Sequence, residues 1–190
     1  VTTRTDGSAS LGEVALPSVR VVTVADGRAF VAGEDGKLRL VDIRDPRNPR
    51  MVAVASIDAR ALYISGGVLI AAGDAGVSLL SLADLGGPAA QTALATLTLD
   101  DMPLGLCTFR RGALAAAGGA GVASVDLGTP TEPAIAGSLS MANARQIERI
   151  ERSVYLLDGG TLKTYLEKAN GSLAVQSNSA LAALGSLQRF

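Results

Sequence analysis

The residues best placed to do chemistry are three arginines that recur at one position. Arg20 lies 13 residues before Gly33, Arg60 lies 13 before Gly73 and Arg145 lies 13 before Asp158, with Gly105 in that place in the intervening unit. A guanidinium offers five donors in a rigid fork, which suits two tasks. Paired with a carboxylate such as Asp58 or Asp101, or with neighbouring carbonyls, it holds structural units in register. Converging with its two counterparts at one opening, it would bind a small anion or an acidic partner. Repetition at the level of a motif is what fold maintenance produces, and it favours the first task.

Other chemistries are narrowed by what the chain lacks. It has no histidine, which removes the commonest general base and the commonest zinc, copper or non-haem iron ligand. Cys107 is the only cysteine, so an intrachain disulfide and a thiolate cluster are both ruled out. Between Leu106 and Thr108 it reads as a small apolar residue on an inner strand. Asp26, Glu34, Asp35, Asp74 and Asp158 sit beside or near glycine, but they are spread over different units, whereas calcium needs six to eight oxygens converging on one point. They read as turn carboxylates, and no metal or cofactor is expected. Gly118-Gly119-Ala120-Gly121 is followed by no helix and has no adjacent lysine, so it is a turn rather than a phosphate loop. An enzyme built from this chain would have to use carboxylates, arginine, lysine or tyrosine, with a narrow pair of inward acids as its sign. Catalytic residues are not assigned.

The elements that position these residues are short strands. Val19 to Arg50 reads as strand, turn, strand, turn, strand and a proline-punctuated exit. Val21, Val22 and Val24 stop at Asp26-Gly27, a pair that takes positive φ angles at low cost. Ala29 to Ala32 form a second strand, Glu34-Asp35-Gly36 a turn, and Lys37 to Ile43 an alternating third strand. Asp45-Pro46-Arg47-Asn48-Pro49 ends the pairing, since proline has no N–H to give a ladder, and Met51 to Ala55 supplies an outer strand. Weaker copies follow, with hairpin turns expected at Gly67, Gly112 and Arg152. Asp84-Leu85-Gly86-Gly87-Pro88 and then Pro130 and Pro133 take the exit role. In the last copy Asn170-Gly171 stands where the prolines were. The landmarks Gly33, Gly73, Gly118 and Asp158 are spaced by 40, 45 and 40 residues, the period of a β-propeller blade. The expected fold is therefore all-β, about four blades of four antiparallel strands, in units of about 19–57, 58–102, 103–142 and 143–178 within a single domain, 1–190. Leu40, Leu79 and Ser124 fall at equivalent third-strand positions. Asp42 and Asp126, at the ends of third strands, are placed to accept backbone N–H bonds from the exits.

Leu38-Arg39-Leu40-Val41-Asp42-Ile43-Arg44-Asp45-Pro46-Arg47-Asn48-Pro49 resembles the LVIVD repeat, a strand of the type L-x-I-V-D-V followed by S-D-P-x-x-P. Val125-Asp126-Leu127 with Pro130 and Pro133 is a looser second match. The resemblance covers about Val19 to Val175. It implies a propeller of the kind common in bacterial secreted or surface proteins, and it brings no agreed catalytic residues.

Composition agrees. The chain of 190 residues is 48% hydrophobic with 22 glycines, enough for a core and many turns, while aromatics at 3% and the absence of tryptophan leave a core of Val, Leu, Ala and Ile. A net charge of −1 gives no field to steer the chain to nucleic acid or an acidic membrane surface. No apolar run is long enough to span a bilayer. A start at Val1, without Met or a basic-then-apolar leader, suits a mature protein, an excised domain or the ordered part of something larger. Leu11 to Leu16 reads as a lone outer strand of a blade lying elsewhere. Residues 180–190 read as the opening of a fifth blade, or as a short helix over Ala180 to Leu184. Either the ring closes on itself with four or five blades or the units are an arc of a larger ring; exposed strand edges are avoided in nature, and an arc completed by a protein partner or by further copies or segments is expected. The function expected is a non-enzymatic interaction or structural module, extracellular or in the bacterial cell envelope. A sensor of small anions through Arg20, Arg60 and Arg145, and a carboxylate-based enzyme, are the alternatives.

Overall fold

Two-residue reversals set the first level of structure. In the computed structural model, which describes residues 10–84, 93–109, 112–168 and 173–180, Ala25 pairs with Arg28, Ser65 with Val68 and Ile150 with Ser153 across tight turns. Asp26 and Gly27 have φ of 50° and 69°, and Gly66 and Gly67 of 56° and 78°. Positive φ at both central residues matches the right-handed twist of the flanking strands. The described residues form four antiparallel four-stranded sheets, each with its strands in sequence order, and no helix. The first holds β1 (Val19–Ala25), β2 (Arg28–Gly33), β3 (Leu38–Asp42) and β4 (Arg50–Ala55). The second holds β5 (Ala61–Ser65), β6 (Val68–Gly73), β7 (Gly76–Ser81) and β8 (Ala95–Leu97). The third holds β9 (Gly105–Phe109), β10 (Gly112–Ala117), β11 (Gly121–Asp126) and β12 (Ala134–Leu139). The fourth holds β13 (Ala144–Ile150), β14 (Ser153–Asp158), β15 (Thr161–Glu167) and β16 (Leu173–Ala180).

The third unit is displaced by one residue from the sequence alignment. Gly112 pairs with Phe109 and already belongs to β10, so it is a strand residue and not the expected turn; residues 110–111 lie outside the described residues. Counted from the hairpins, the counterpart of Gly33, Gly73 and Asp158 is Ala117 rather than Gly118. The counterpart of the recurring arginine is then Leu104, not Gly105. The Leu104 amide bonds the Ala116 carbonyl at 2.8 Å as the Arg60 amide bonds that of Ala72 at 2.7 Å.

Each sheet has two apolar faces. The register pairs Phe30–Leu40, Ile70–Leu79, Leu114–Ser124 and Tyr155–Thr164 define one of them, the leading face. In the first sheet Phe30, Ala32, Leu38 and Leu40 pack on the opposite, trailing face of the second, made by Leu62, Leu69, Ala71 and Leu80. Ile70, Ala72, Val77 and Leu79 pack in turn on Leu106, Ala113 and Ala115. Cys107, Leu114, Ala116 and Val122 pack on Ile147, Val154, Leu156 and Tyr165. Small residues in the second strands let neighbouring sheets approach closely. A Cβ on Gly105 would come within 3.0 Å of the backbone of Arg145, Gln146 and Ile147.

Leu11 to Leu16 joins no sheet among the described residues, contrary to the expectation of an outer strand. The segment is extended, with alternating exposure, and lays Val14 and Leu16 on Ala29, Val31 and Val41 of the trailing face of the first sheet. Proline at position 17 and the bulge that follows at Arg20 separate it from β1. The exits are held by short carboxylates. Asp42 Oδ1 accepts the Arg44 N–H at 3.0 Å, Asp45 Oδ1 that of Arg47 at 3.0 Å and Asp126 Oδ1 that of Gly128 at 2.8 Å. The exit after β7 from Leu85 onward, the Asn170-Gly171 turn and the stretch 181–190 lie outside the described residues.

Leu40 is buried at the interface of the first two sheets, so Leu40→Ala is expected to lower unfolding free energy by about 2–5 kcal/mol in urea titration. Thr164 occupies the equivalent register position on the half-exposed leading face of the fourth sheet, and Thr164→Ala is expected to cost under about 1 kcal/mol. Equal costs would contradict the assignment of faces.

Candidate functional site

The recurring arginines have separate partners. Arg20 and Arg145 occupy bulges at the starts of β1 and β13, where an extra residue turns a side chain out of the ladder. Arg20 Nη1 donates to Asp58 Oδ1 at 3.0 Å, across from the first unit to the start of the second. Asp58 Oδ2 accepts the Asp74 N–H at 3.2 Å, and Asp74 Oδ1 accepts Arg60 Nε at 3.2 Å, so Arg20 and Arg60 are the ends of one charged chain. Arg145 Nε donates to Asn143 Oδ1 at 3.1 Å.

The polar residue two places before each arginine also ties down the hairpin that follows the second strand. Ser18 does so with its carbonyl, which accepts the Glu34 N–H at 2.7 Å. Asp58 uses its carboxylate, and the Asn143 carbonyl accepts the Gly159 N–H at 2.9 Å. In the third unit Asp101 takes the same role from a longer approach, accepting the Gly119 N–H at 2.9 Å and that of Met102 at 2.7 Å. Among the described residues Asp101 therefore serves backbone amides rather than an arginine.

A cavity of about 410 Å³ lies where the four first strands meet. It is lined in equivalent positions by Val21, Ala61, Gly105 and Gln146, with Thr23, Tyr63 and Glu148 adding polar groups. Gln146 and Glu148 are not legible from residue type, because a single carboxylate on a strand carries no motif. Their signal is positional, on the cavity-facing side of a first strand whose counterparts in other sheets hold Val21, Thr23, Ala61 and Tyr63. Among the described residues Glu148 is the one carboxylate in that lining, so they do not supply the pair of acids that hydrolysis through general acid and base would need.

Cys107 is buried on the leading face of the third sheet, in register with Leu114. Burial, with the negative charge of Glu148 adding to it, pushes its thiol up to about 12, so it carries negligible thiolate at neutral pH. The turn acids are engaged locally. Asp35 pairs with the buried Arg39, and Asp158 accepts Lys163 Nζ at 2.5 Å and the Asn143 N–H at 2.8 Å. Arg149 meets Glu167 at 3.0 Å. Among the described residues no group of three or more acids and cysteines could hold a metal ion, and no helix is long and apolar enough to cross a membrane.

Four-stranded meanders packed face to face around a cavity lined by their first strands define a propeller-type fold. No protein-family model matches the chain, and no curated protein matches it in sequence. Solved structures do match in shape. A chain of the mitotic checkpoint complex superposes with a TM-score of 0.68 at 12% identity, over 84% of this chain and 51% of that one. BamB from Moraxella catarrhalis gives 0.60 at 14% identity, over 84% and 50%. The computationally designed Ika4 protein gives 0.60 at 10% identity, over 86% and 93%. The chain thus spans about half the length of the first two and nearly all of the third.

Two predictions follow from this geometry. Asp58 holds both Arg20 and a hairpin amide, so Asp58→Ala is expected to cost about 1–3 kcal/mol in thermal or urea unfolding, and Arg20→Ala, which removes a partly exposed ion pair, under about 1 kcal/mol. The reverse order would show that the amide contact is dispensable. The hydrogen bond from Lys163 holds the Asp158 carboxyl below its ordinary value of 3.8. A depressed carboxyl contributes stability above the unfolded value and loses it as pH falls through the folded one. Stability measured from about pH 5 down to 2 should therefore fall more steeply in the native chain than in Asp158→Asn, and parallel curves would refute the linkage.

Proposed function

We propose that this chain is a non-enzymatic interaction module that presents one end of its propeller and the surrounding loops to a protein partner, at the bacterial envelope or outside the cell. The observation that carries the reading is how its charged groups are used. Arg20, Arg39, Arg44, Arg60, Arg149 and Lys163 each pair with a carboxylate of the scaffold, which leaves Glu148, Gln146, Thr23 and Tyr63 as the polar groups presented to the central cavity. Such a lining can recognise shape and hydrogen bonds but contains neither an activated nucleophile nor a pair of acids. The propeller-type fold is consistent with binding, since it displays loops from every sheet at one end of a rigid scaffold. Location at the envelope rests on the LVIVD-like stretch Leu38 to Pro49. A protein partner, or further copies of the chain, would complete the ring.

The test places a photo-crosslinking amino acid at Gln146, on the cavity wall, in cells that produce the protein. Discrete adducts of protein mass in the envelope or secreted fraction are expected, and they should be lost when bulky lysines replace Thr23 and Glu148. Adducts to small molecules alone would favour a ligand sensor, and turnover abolished by Glu148→Gln would favour an enzyme.

A further inference from the structure

Among the described residues, the two end sheets each leave part of a face exposed whose counterparts are closed everywhere else, the first sheet beyond the strip that Val14 and Leu16 cover. On the trailing side, Leu62, Leu106 and Ile147 are counterparts by register and are 9%, 6% and 2% exposed, whereas their counterpart in the first sheet, Val22, is 55% exposed. Val24, the counterpart of Ile64, is 59% exposed, and Met51 and Val54 on the same face are exposed as well. On the leading side Phe30, Ile70 and Leu114 are fully buried, but Tyr155, in their place in the fourth sheet, is only half-buried, as are Leu157, Leu162 and Leu166. Ile150 on that face is 64% exposed. An aliphatic sheet face left in water is an association site unless something covers it.

The shape required of the cover is known, because the chain makes that interface three times. A trailing face takes a leading face. The open trailing face of the first sheet therefore fits the open leading face of the fourth, and the complement is already encoded in the same polypeptide. We propose that two copies of the chain join head to tail, the fourth sheet of each packing on the first sheet of the other, so that two arcs close one ring. This rests on the reading above of the protein as an incomplete propeller, and it commits the ring-completing partner to a second copy. The internal interface gives the contact in detail. Ala25 and Ile64 both pack in the core between the first and second sheets. Their counterparts at the open ends are Ile150 and Val24, so these two side chains should meet between copies.

Residues 10–16 are the element that must give way. Val14 and Leu16 lie on Ala29, Val31 and Val41, as Ala55 and Ile57 lie with Leu69, Ala71 and Leu80 one unit later. The segment thus holds the place of an outer strand, which β16 of the incoming copy would take. It competes with association rather than serving it.

Light scattering and sedimentation of the whole chain over about 1–100 µM should show a monomer going to a dimer, with no larger species. Val24→Asp and Ile150→Asp, both at exposed positions that leave the core intact, should each give monomers, and Leu16→Ala should tighten association several-fold. Copies carrying Val24→Cys, mixed with copies carrying Ile150→Cys, should be joined by a short bis-maleimide into a covalent pair, while neither variant crosslinks with itself. A monomer at every concentration, a ladder of larger oligomers, crosslinking of Val24→Cys to itself, or association weakened by Leu16→Ala would each overturn the proposal. The first of these outcomes would leave the interaction reading standing if Gln146 still captures a different protein, and the two failures are thereby told apart.

Discussion

Everything in this molecule depends on sheets that are apolar on both sides. A two-faced sheet cannot stop at one neighbour, because whichever face is left over meets water wherever nothing else covers it. The second strands show the constraint most clearly. Residues 29–33, 69–73 and 113–117 are buried without interruption, since alternate side chains enter two different interfaces. Ala32, Ala72 and Ala116 keep those interfaces thin, and the bulkier Phe30, Ile70 and Leu114 fill them. The aromatic poverty of the chain is thus compatible with a close-packed interior. Tight approach between sheets, with methyl groups interleaved, replaces the large rings that other repeat proteins place between their units.

Polar chemistry is arranged around that packing and serves it. The ion pairs sit at strand ends and hairpins, where the apolar interfaces run out and backbone amides would otherwise face solvent unpaired. Asp58, Asp101 and Asn143 do comparable work from different spacings, which shows that the need is for an acceptor at the hairpin and not for a particular residue. The same economy explains why carboxylates beside glycines do not make a calcium site. Asp35, Asp74 and Asp158 are each engaged by the cation or amide nearest to them.

Much of the architecture was legible because local signals agreed with one another. Asp26-Gly27 and Gly66-Gly67 announced reversals, valine runs announced strands, and Pro46 and Pro49 announced an exit. The third unit was misread by one residue for a physical reason. Gly33 and Gly73 are glycine because neighbouring groups crowd the Cβ position, Asp35 and Arg39 around the first and Asp58 around the second. Gly118 is crowded too, by Asp101, but its φ of 47° adds a demand for glycine that Gly33 and Gly73 do not carry. One residue type answered two different demands, so aligning on it slid the register and put Gly105 in the arginine place that belongs to Leu104. The extended stretch before Ser18 was harder still. Alternation in Leu11 to Leu16 reports that one side of the chain is covered, but not whether a strand or a sheet face covers it. The central cavity was invisible for a related reason, since its wall is assembled from one or two residues of each unit and no segment contains it.

The order of the strands has a consequence for how the molecule is made. Each strand pairs with the one synthesised just before it, and each sheet settles on the sheet just completed, so no stabilising contact among the described residues has to wait for a remote part of the chain. Loop closure is therefore inexpensive at every step. Such a chain can acquire structure vectorially as it emerges from a ribosome or a secretion pore, with the newest sheet always the one whose outer face is still wet, and it can gain or lose a unit by duplication or deletion without disturbing those already docked.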